Sequence, residues 1–456
     1  MCMRKKKNYS RRREVFFVVL TVLISIVVIC AIMYNQQKCI DCNVFPKINI
    51  DLNNVTLKEI NDNEKWVKYG GNTVTLSSRN GEEVFKDVEM KGRGNYSWLA
   101  DKKSYNIKFP NKVNLLEIGK HKKWALVANS LDDSFLRNDL GHYIANVIFK
   151  NNNINGDFVE LDVNGKNIGL YYLSELVSIN KESVDIRSPL AILVEMDKPY
   201  CQEEEEYYTS TWIKDCFIVK DYRNNEEYNT VMRDFMRDYN YFENALIHNK
   251  TDEIFNYIDE DSWAKYYLLS EFTGDVDAYV TSWYMYKDGV DDKIYAGPGW
   301  DFDAAFGNKN WGGDWPEDFY SPDTQMARLK FSFGERDDYV EGQGMGCRYN
   351  LEEKKGSLEY VSPVMCYLLD VPDFNNRVEK IYKETLMGKR NLIVDYIKDK
   401  ANYIREAAVR DGEKWNKGNF EEAVDYLIWW VDKRFDLFDE LYGGEKIEYL
   451  EEPFEV

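Results

Sequence analysis

The feature that most constrains the fold is a change of hydrophobic period along the chain, from two-residue alternation to helical spacing. Residues 47–52 alternate after Pro46, and so do 73–76, 84–90 and 104–109, with Gly and Asn at the turns between them. Residues 158–163 and 168–173 flank Asn164 and Gly165, the pair that favours a tight type I′ hairpin turn. One helix interrupts the strands. Leu136, Leu140, Ile144, Val147 and Ile148 predict it over residues 134–150, after the acidic start Asp132, Asp133 and Ser134. Beyond the acidic insertion Glu203 to Glu206 the pattern turns helical at 227–248 and 260–273, with a strand pair near 282–287 and 293–296. Val424, Leu427, Val431, Phe435, Phe438 and Leu441 then form one apolar stripe, which is a packing face. A β-rich first half and a helix-rich second half predict a two-lobed α+β domain over residues 46–442, with a cleft between the lobes.

The ends of the chain read differently. Residues 15–34 hold no charge and follow seven basic side chains, from Arg4 to Arg13. At about 1.5 Å per residue such a helix crosses a hydrocarbon core of roughly 30 Å. A cleaved signal peptide has a shorter apolar region and a small-x-small site, and none follows Ala31. The expectation is a single-pass anchor in the cell membrane. Residues 1–14 then lie in the cytoplasm and the large domain outside, joined by a linker over 35–45, with the lipid bilayer as a partner and an acidic tail at 443–456. The formal net charge is -20 despite that basic start, which disfavours nucleic acid, whose phosphates need a basic face.

Eight cysteines are few for 456 residues. Cys39 and Cys42 suit a small disulfide, a metal clip or neither, while Cys201 and Cys216 bracket the acidic insertion and can close it covalently; Cys347 and Cys366 offer a second pair. Buried free thiols fit these spacings equally. Three histidines, His121, His142 and His248, without an HExxH motif, exclude the usual histidine zinc site.

Three constellations carry chemistry. In the first, Gly92 and Gly94 surround Arg93, with Lys102, Lys103 and Lys108 following. Glycine lets backbone approach a ligand and the cations suit a polyphosphate, although a hairpin with solvated lysines has the same composition. The second is Asp275 and Asp277 after Gly274. In the third, Asp301 and Asp303 flank Phe302 between glycine turns. Carboxylates at i and i+2 on an extended segment point to opposite faces, so one reaches a metal while the other caps the loop. Phosphoryl transfer uses one or two carboxylates on Mg²⁺ plus a separate aspartate, and two acidic loops satisfy this; acidic turns and caps on an acidic protein are the plain alternative.

The sequence resembles the CotH family. Residues 91–98 with 102–109 match its glycine-arginine and double-lysine motif, and 123–129 with Asp132, Arg137 and Asn138 match the helix start that follows. Asn164 to Glu175, residues 193–197, and 297–303 through Asn308 continue the match in family order. The resemblance implies an atypical, protein-kinase-like bilobal fold that binds ATP with Mg²⁺ or Mn²⁺ and phosphorylates serine on a surface or spore coat protein. Arg93 and Lys103 would then hold phosphates, Glu175 would partner the lysine or the nucleotide, Asp277 would be the catalytic-loop aspartate, and Asp301 with Asp303 would hold metal. Two positions depart from the family pattern: Asp275 stands where members often have Asn, and Asp303 where a DFG glycine would be. A non-catalytic scaffold or adhesin on the same fold is the alternative. A carbohydrate-active protein, suggested by 12 Trp and 33 Tyr, fits less well because a neutral sugar needs no paired lysines. The kinase reading expects Lys103 and Asp301 in one cleft.

Overall fold

The computed structural model describes residues 45–150, 154–181, 183–275, 277–308 and 362–443. Seven strands close a barrel: β1 (Lys47–Asp51), β2 (Tyr69–Ser78), β3 (Gly81–Arg93), β4 (Ser104–Asn114), β5 (Lys120–Val127), β6 (Gly156–Val163) and β7 (Lys166–Glu175), in the order β1-β2-β3-β4-β5-β7-β6. Neighbours are antiparallel except β1 and β6, whose parallel pairing of Lys47 with Glu160 through Ile50 with Val163 seals the cylinder. The alternation seen in the sequence explains the closure. Ile48, Ile50, Val74, Leu76, Val88, Met90, Ile107, Phe109, Val159 and Leu161 fill the interior, each almost fully buried. Asn164 (φ 50°) and Gly165 (φ 71°) make the hairpin turn with positive φ at both central residues, the condition of a type I′ turn.

Helix α1 (Leu57–Asp62) lies between β1 and β2 and is closed by a Thr56–Glu59 capping box. Helix α2 (Arg137–Phe149) begins three residues later than the pattern predicts. The Asp132 carboxylate takes the N–H and hydroxyl of Ser134 (3.0 and 2.7 Å) and the N–H of Arg137 (2.9 Å), holding residues 132–136 in a loop.

A second sheet follows, formed by β8 (Ile192–Met196), β9 (Tyr208–Thr209), β10 (Cys216–Tyr222), β11 (Trp283–Lys287) and β12 (Tyr295–Ala296), in the order β12-β11-β8-β10-β9. The remaining α-helices among the described residues are α3 (Tyr228–Ile247), α4 (Thr251–Ile254), α5 (Glu260–Thr273), α6 (Val364–Leu369), α7 (Pro372–Thr385), α8 (Arg390–Trp415) and α9 (Phe420–Phe438). Their apolar faces share one large core with α2 and the second sheet; of the predicted stripe, Val424, Leu427, Val431, Phe435 and Phe438 lie inside it, while Leu441, past the end of α9, is exposed. The expected mixed α+β order, strands first and helices later, is therefore observed. Cys201 and Cys216 form a disulfide that closes the acidic insertion, with Cα atoms 6.1 Å apart. Cys39, Cys42 and Cys347 lie outside the described residues.

The single-pass placement in the cell membrane requires correction. Among the described residues no helix is long and apolar enough to cross a bilayer, and the uncharged run 15–34 lies outside them, as does the acidic tail beyond 443. The physical reason is plain in α8, the 26-residue helix, where charged side chains recur along its length.

One buried ion pair joins the barrel to the helices. The Lys102 ammonium meets the Asp411 carboxylate of α8 at 2.8 Å and donates to the carbonyls of Ala128 (2.9 Å) and Leu170. Asp411 in turn accepts the Leu170 N–H at 2.7 Å. Both side chains are essentially inaccessible, and burial pulls the Lys102 pKa down to about 7, with Asp411 opposing. Gly169 (φ +121°) is required here, because a Cβ would lie 1.9 Å from the Asp411 oxygen. Lys102→Met strands a buried carboxylate, so urea denaturation should show a loss of about 3–5 kcal/mol, and pairing it with Asp411→Leu should recover much of that loss. Strictly additive losses would show that the pair does not couple the two parts.

Candidate active site

The alternation that fills the barrel also builds its outer face. On β3, Val88 and Met90 point inward, so Glu89, Lys91 and Arg93 point out; across the strand pairs Lys91 faces Asn106, Glu89 faces Lys108, and Lys108 faces Lys123. These side chains, with Lys65 and Lys68, form one wall of a cleft of about 430 Å³. The opposite wall comes from the second sheet and its loops: Glu195 and Asp197 on and after β8, Lys220 on β10, Glu203 and Glu204 of the disulfide-closed loop, Ser282 and Asp301. Charge is thus segregated. Cations dominate the barrel wall and carboxylates the facing one, with the Lys220–Glu195 ion pair on the acidic side.

Asp301 owes its position to α2. Phe302 donates its N–H to the Asn138 side chain (2.9 Å), and its ring lies against Gly141, where a Cβ would come within 2.1 Å. Arg137 donates to the Ala305 carbonyl (3.1 Å), and Asn308 donates to the carbonyls of Asp303 (2.6 Å) and Leu131 (3.0 Å). Asp301 itself has φ +68° and accepts from the Ser282 hydroxyl at 3.3 Å. Trp300 is held between the Arg93 guanidinium (5.2 Å) and the stacked ring of His142 (5.5 Å). Burial drops the His142 pKa to about 3, helped by Arg93, so this imidazole is neutral when it pairs with the Tyr172 hydroxyl at 3.0 Å. Asp275 and Asp277 follow the left-handed cap Gly274 at the end of α5, and the Asp277 N–H donates to the Asp275 carboxylate at 3.0 Å.

The carboxyls feel one another. Burial raises the Asp303 pKa well above normal; the charges of Asp301, Asp277 and Asp275 add to this, and Arg93 opposes it. Asp301 is raised chiefly by burial, against Arg93, and Asp197 is pushed up to about 7 by burial and then Glu195. A bound cation would relieve this repulsion. Among the described residues no group of three or more His, Cys, Asp or Glu is arranged to hold a metal with protein ligands alone. The Arg93 Nη1 atom is buried and has no hydrogen-bond acceptor among the described residues, as expected of a donor shaped for an anion.

Of the residues singled out from sequence, Gly92, Arg93, Gly94, Lys108 and Asp301 line the same cleft, and Asp277 and Asp303 are close enough to enter its electrostatics. Lys103 and Glu175 are placed elsewhere. The Lys103 ammonium donates to the Trp98 carbonyl and lies over that indole (5.1 Å), while Glu175 is buried against His121 (3.1 Å) and the Asn155 N–H (3.1 Å). Gly92 makes room for the Trp98 ring and Gly94 for the Ser97 hydroxyl. Lys91, Asn106 and Lys123 were not singled out as ligands; the strand parity that places them beside Arg93 was the available signal.

Both walls fall largely within one stretch of sequence, and that stretch has relatives. The family model described as CotH kinase protein matches residues 90–437, from the end of β3 to the last turn of α9. The chain belongs to the CotH kinase protein family. No curated protein matches it.

The crowded carboxyls give a pH test. A carboxyl whose native pKa is raised binds its proton more tightly than the unfolded chain does, so its stabilising contribution is full below about pH 4 and is lost as pH rises through the native value. Asp303→Asn should therefore raise the denaturation midpoint of the ligand-free protein at pH 7, with the gain shrinking toward pH 4. A gain independent of pH would assign it to packing instead.

Proposed function

We propose that this protein is an ATP- and divalent-cation-dependent protein kinase of two-lobed, kinase-like build, acting on a serine hydroxyl of a surface or spore coat protein. The observation that carries the reading is the charge segregation across the cleft: Lys91, Arg93, Lys108 and Lys123 on one wall face Asp197 and Asp301 on the other. A triphosphate with its metal needs those two surfaces at close range. Family membership supports the same reading.

The residues divide the work as follows. Arg93, with its unsatisfied Nη1, and the three lysines would hold phosphate oxygens, Arg93 with a planar fork and the lysines as point charges. Asp301 and Asp303 would hold Mg²⁺ or Mn²⁺, which when bound neutralises charge on the phosphate oxygens. Asp277 would orient the acceptor serine and take its proton as the oxygen attacks the γ-phosphorus and ADP leaves. Lys103 and Glu175 would act indirectly, Lys103 by fixing the Trp98 turn that packs against Gly92.

Thermal denaturation of the protein with ATP, with and without Mg²⁺ or Mn²⁺, tests the binding, because a ligand specific for the native state raises its stability by mass action. Asp301→Asn should abolish the metal-dependent part of the shift and the transfer of label from ATP. Asp277→Asn should keep the shift and slow transfer by about 10²-fold or more. If the wild-type protein shows neither a shift nor labelled product, the kinase reading fails and a scaffold on the same fold replaces it.

A further inference from the structure

An α-helix ends with four backbone carbonyls that have no partner inside the helix. In α5 these belong to residues 270–273, just before the loop of Asp275 and Asp277. All four are engaged. Ser270 accepts the Asp275 N–H (3.1 Å), and Glu271 accepts the N–H of Gly274 (3.1 Å), the left-handed residue that turns the chain out of the helix. Thr273 accepts the N–H of Phe306 (2.7 Å), shortly beyond Asp303. The last donor comes from α9. Arg434 Nε donates to the carbonyls of Glu271 (3.0 Å) and Phe272 (3.3 Å), and Nη2 donates to the Glu271 carbonyl as well.

Arg434 is buried, with its guanidinium over the rings of Trp430 (5.6 Å) and Phe438 (5.2 Å) and 4.0 Å from the Glu271 carboxylate. Burial pulls its pKa down to about 10, with Glu271 opposing, so it is charged at neutral pH and sits where the negative end of the α5 dipole favours a cation. Desolvation offsets most of what such a pair gains, and Gly274 already closes the helix, so closure alone does not require the cation. The same helix supports the second acidic loop. Trp430 packs edge-on against Phe306 (5.6 Å), and Gly307 (φ +62°) is so close to Trp430 and Tyr426 that a Cβ would come within 2.7 and 2.9 Å of them. Phe272 rests on Phe435 (4.9 Å) and Phe438 (5.2 Å). Both carboxylate loops therefore leave from one joint, the end of α5 seated on α9, and Arg434 is the charge at that joint.

We propose that Arg434 is a positioning residue for phosphoryl transfer: by fixing the carbonyl end of α5 it sets the loop of Asp277 and, through the Thr273–Phe306 hydrogen bond, the loop of Asp301 and Asp303 together. The assignment rests on the kinase reading of the cleft. Arg434 does not line that cleft and touches no reacting atom, so its effect passes through backbone. Such an effect can be large, because a reacting group misplaced by about 1 Å costs on the order of 10²-fold in rate.

Transfer of label from ATP to a serine-containing peptide, measured across a range of Mn²⁺ concentrations, gives two readouts: kcat for the Asp277 loop and half-saturating Mn²⁺ for the Asp301 loop. The variants are Arg434→Met, Arg434→Lys and, as a stability control, Ile404→Ala, which opens a cavity on α8 in the same core. All are assayed at a temperature where circular dichroism shows them folded. Arg434→Met should lower kcat and raise half-saturating Mn²⁺, each by about 10- to 100-fold. Arg434→Lys, which keeps a charge and a donor at the helix end, should recover part of both, and Ile404→Ala should move neither by more than about twofold. If Arg434→Met does not fold, Arg434→Lys alone must still shift both readouts together. The assignment is overturned if the Arg434 variants match the control, or if only one of the two readouts moves. Absence of any transfer by the wild-type protein removes the kinase reading itself, and the positioning role with it.

Discussion

A single ammonium sits where the barrel meets the helices. Lys102 satisfies two backbone carbonyls and one carboxylate at a buried position, and each of those acceptors belongs to a different part of the chain. Ala128 follows β5 directly and leads into the loop before α2, Leu170 lies within β7, and Asp411 is on α8. The cleft walls depend on this joint, because β3 to β5 carry the cations and α2 carries the contacts that fix the loop of Asp301. A charge in such a site is a weak source of net stability, since its desolvation offsets most of its attraction. What it contributes is registry: few other arrangements of barrel and helices could satisfy it.

The same sequence pattern was read with success for the fold and only partly for the site. The Asn164–Gly165 turn, the alternating strands and the apolar stripe of α9 were legible because their chemistry is local. Lys103 was not. It precedes β4 in a turn, where strand parity carries no information, and a motif that pairs two lysines cannot tell which faces a ligand; in the structure one is locked on Asp411 and the other on Trp98. Glu175 shows a second limit. Its neighbours His121 and Asn155 are distant in sequence, and only the placing of β7 between β5 and β6 brings them together. Lys91, Asn106 and Lys123, by contrast, could have been found by extending the alternation across three strands. The start of α2 was missed by three residues because the side chain of Asp132 outcompetes the first helical turn for its N–H groups.

The aspartates at positions 275 and 303 add to the crowding of charge at the base of the cleft. Four aspartates, Asp275, Asp277, Asp301 and Asp303, gather in one corner with Arg93 as the cation that acts on two of them. Each extra carboxyl raises the cost of holding the others ionised, a cost that a cation bound there as proposed would relieve.

Closure of the barrel reaches beyond the cleft. A cylinder sealed by β1 and β6 has no unpaired strand to offer a neighbour, and both edges of the second sheet, β9 and β12, are only two residues long. Main-chain pairing between copies, the usual route by which sheet proteins polymerise, therefore has almost no template in the described residues. If this protein takes its place in a layered shell, its adhesion to neighbours must be written in side chains, which can be changed one at a time without touching the backbone that holds the cleft.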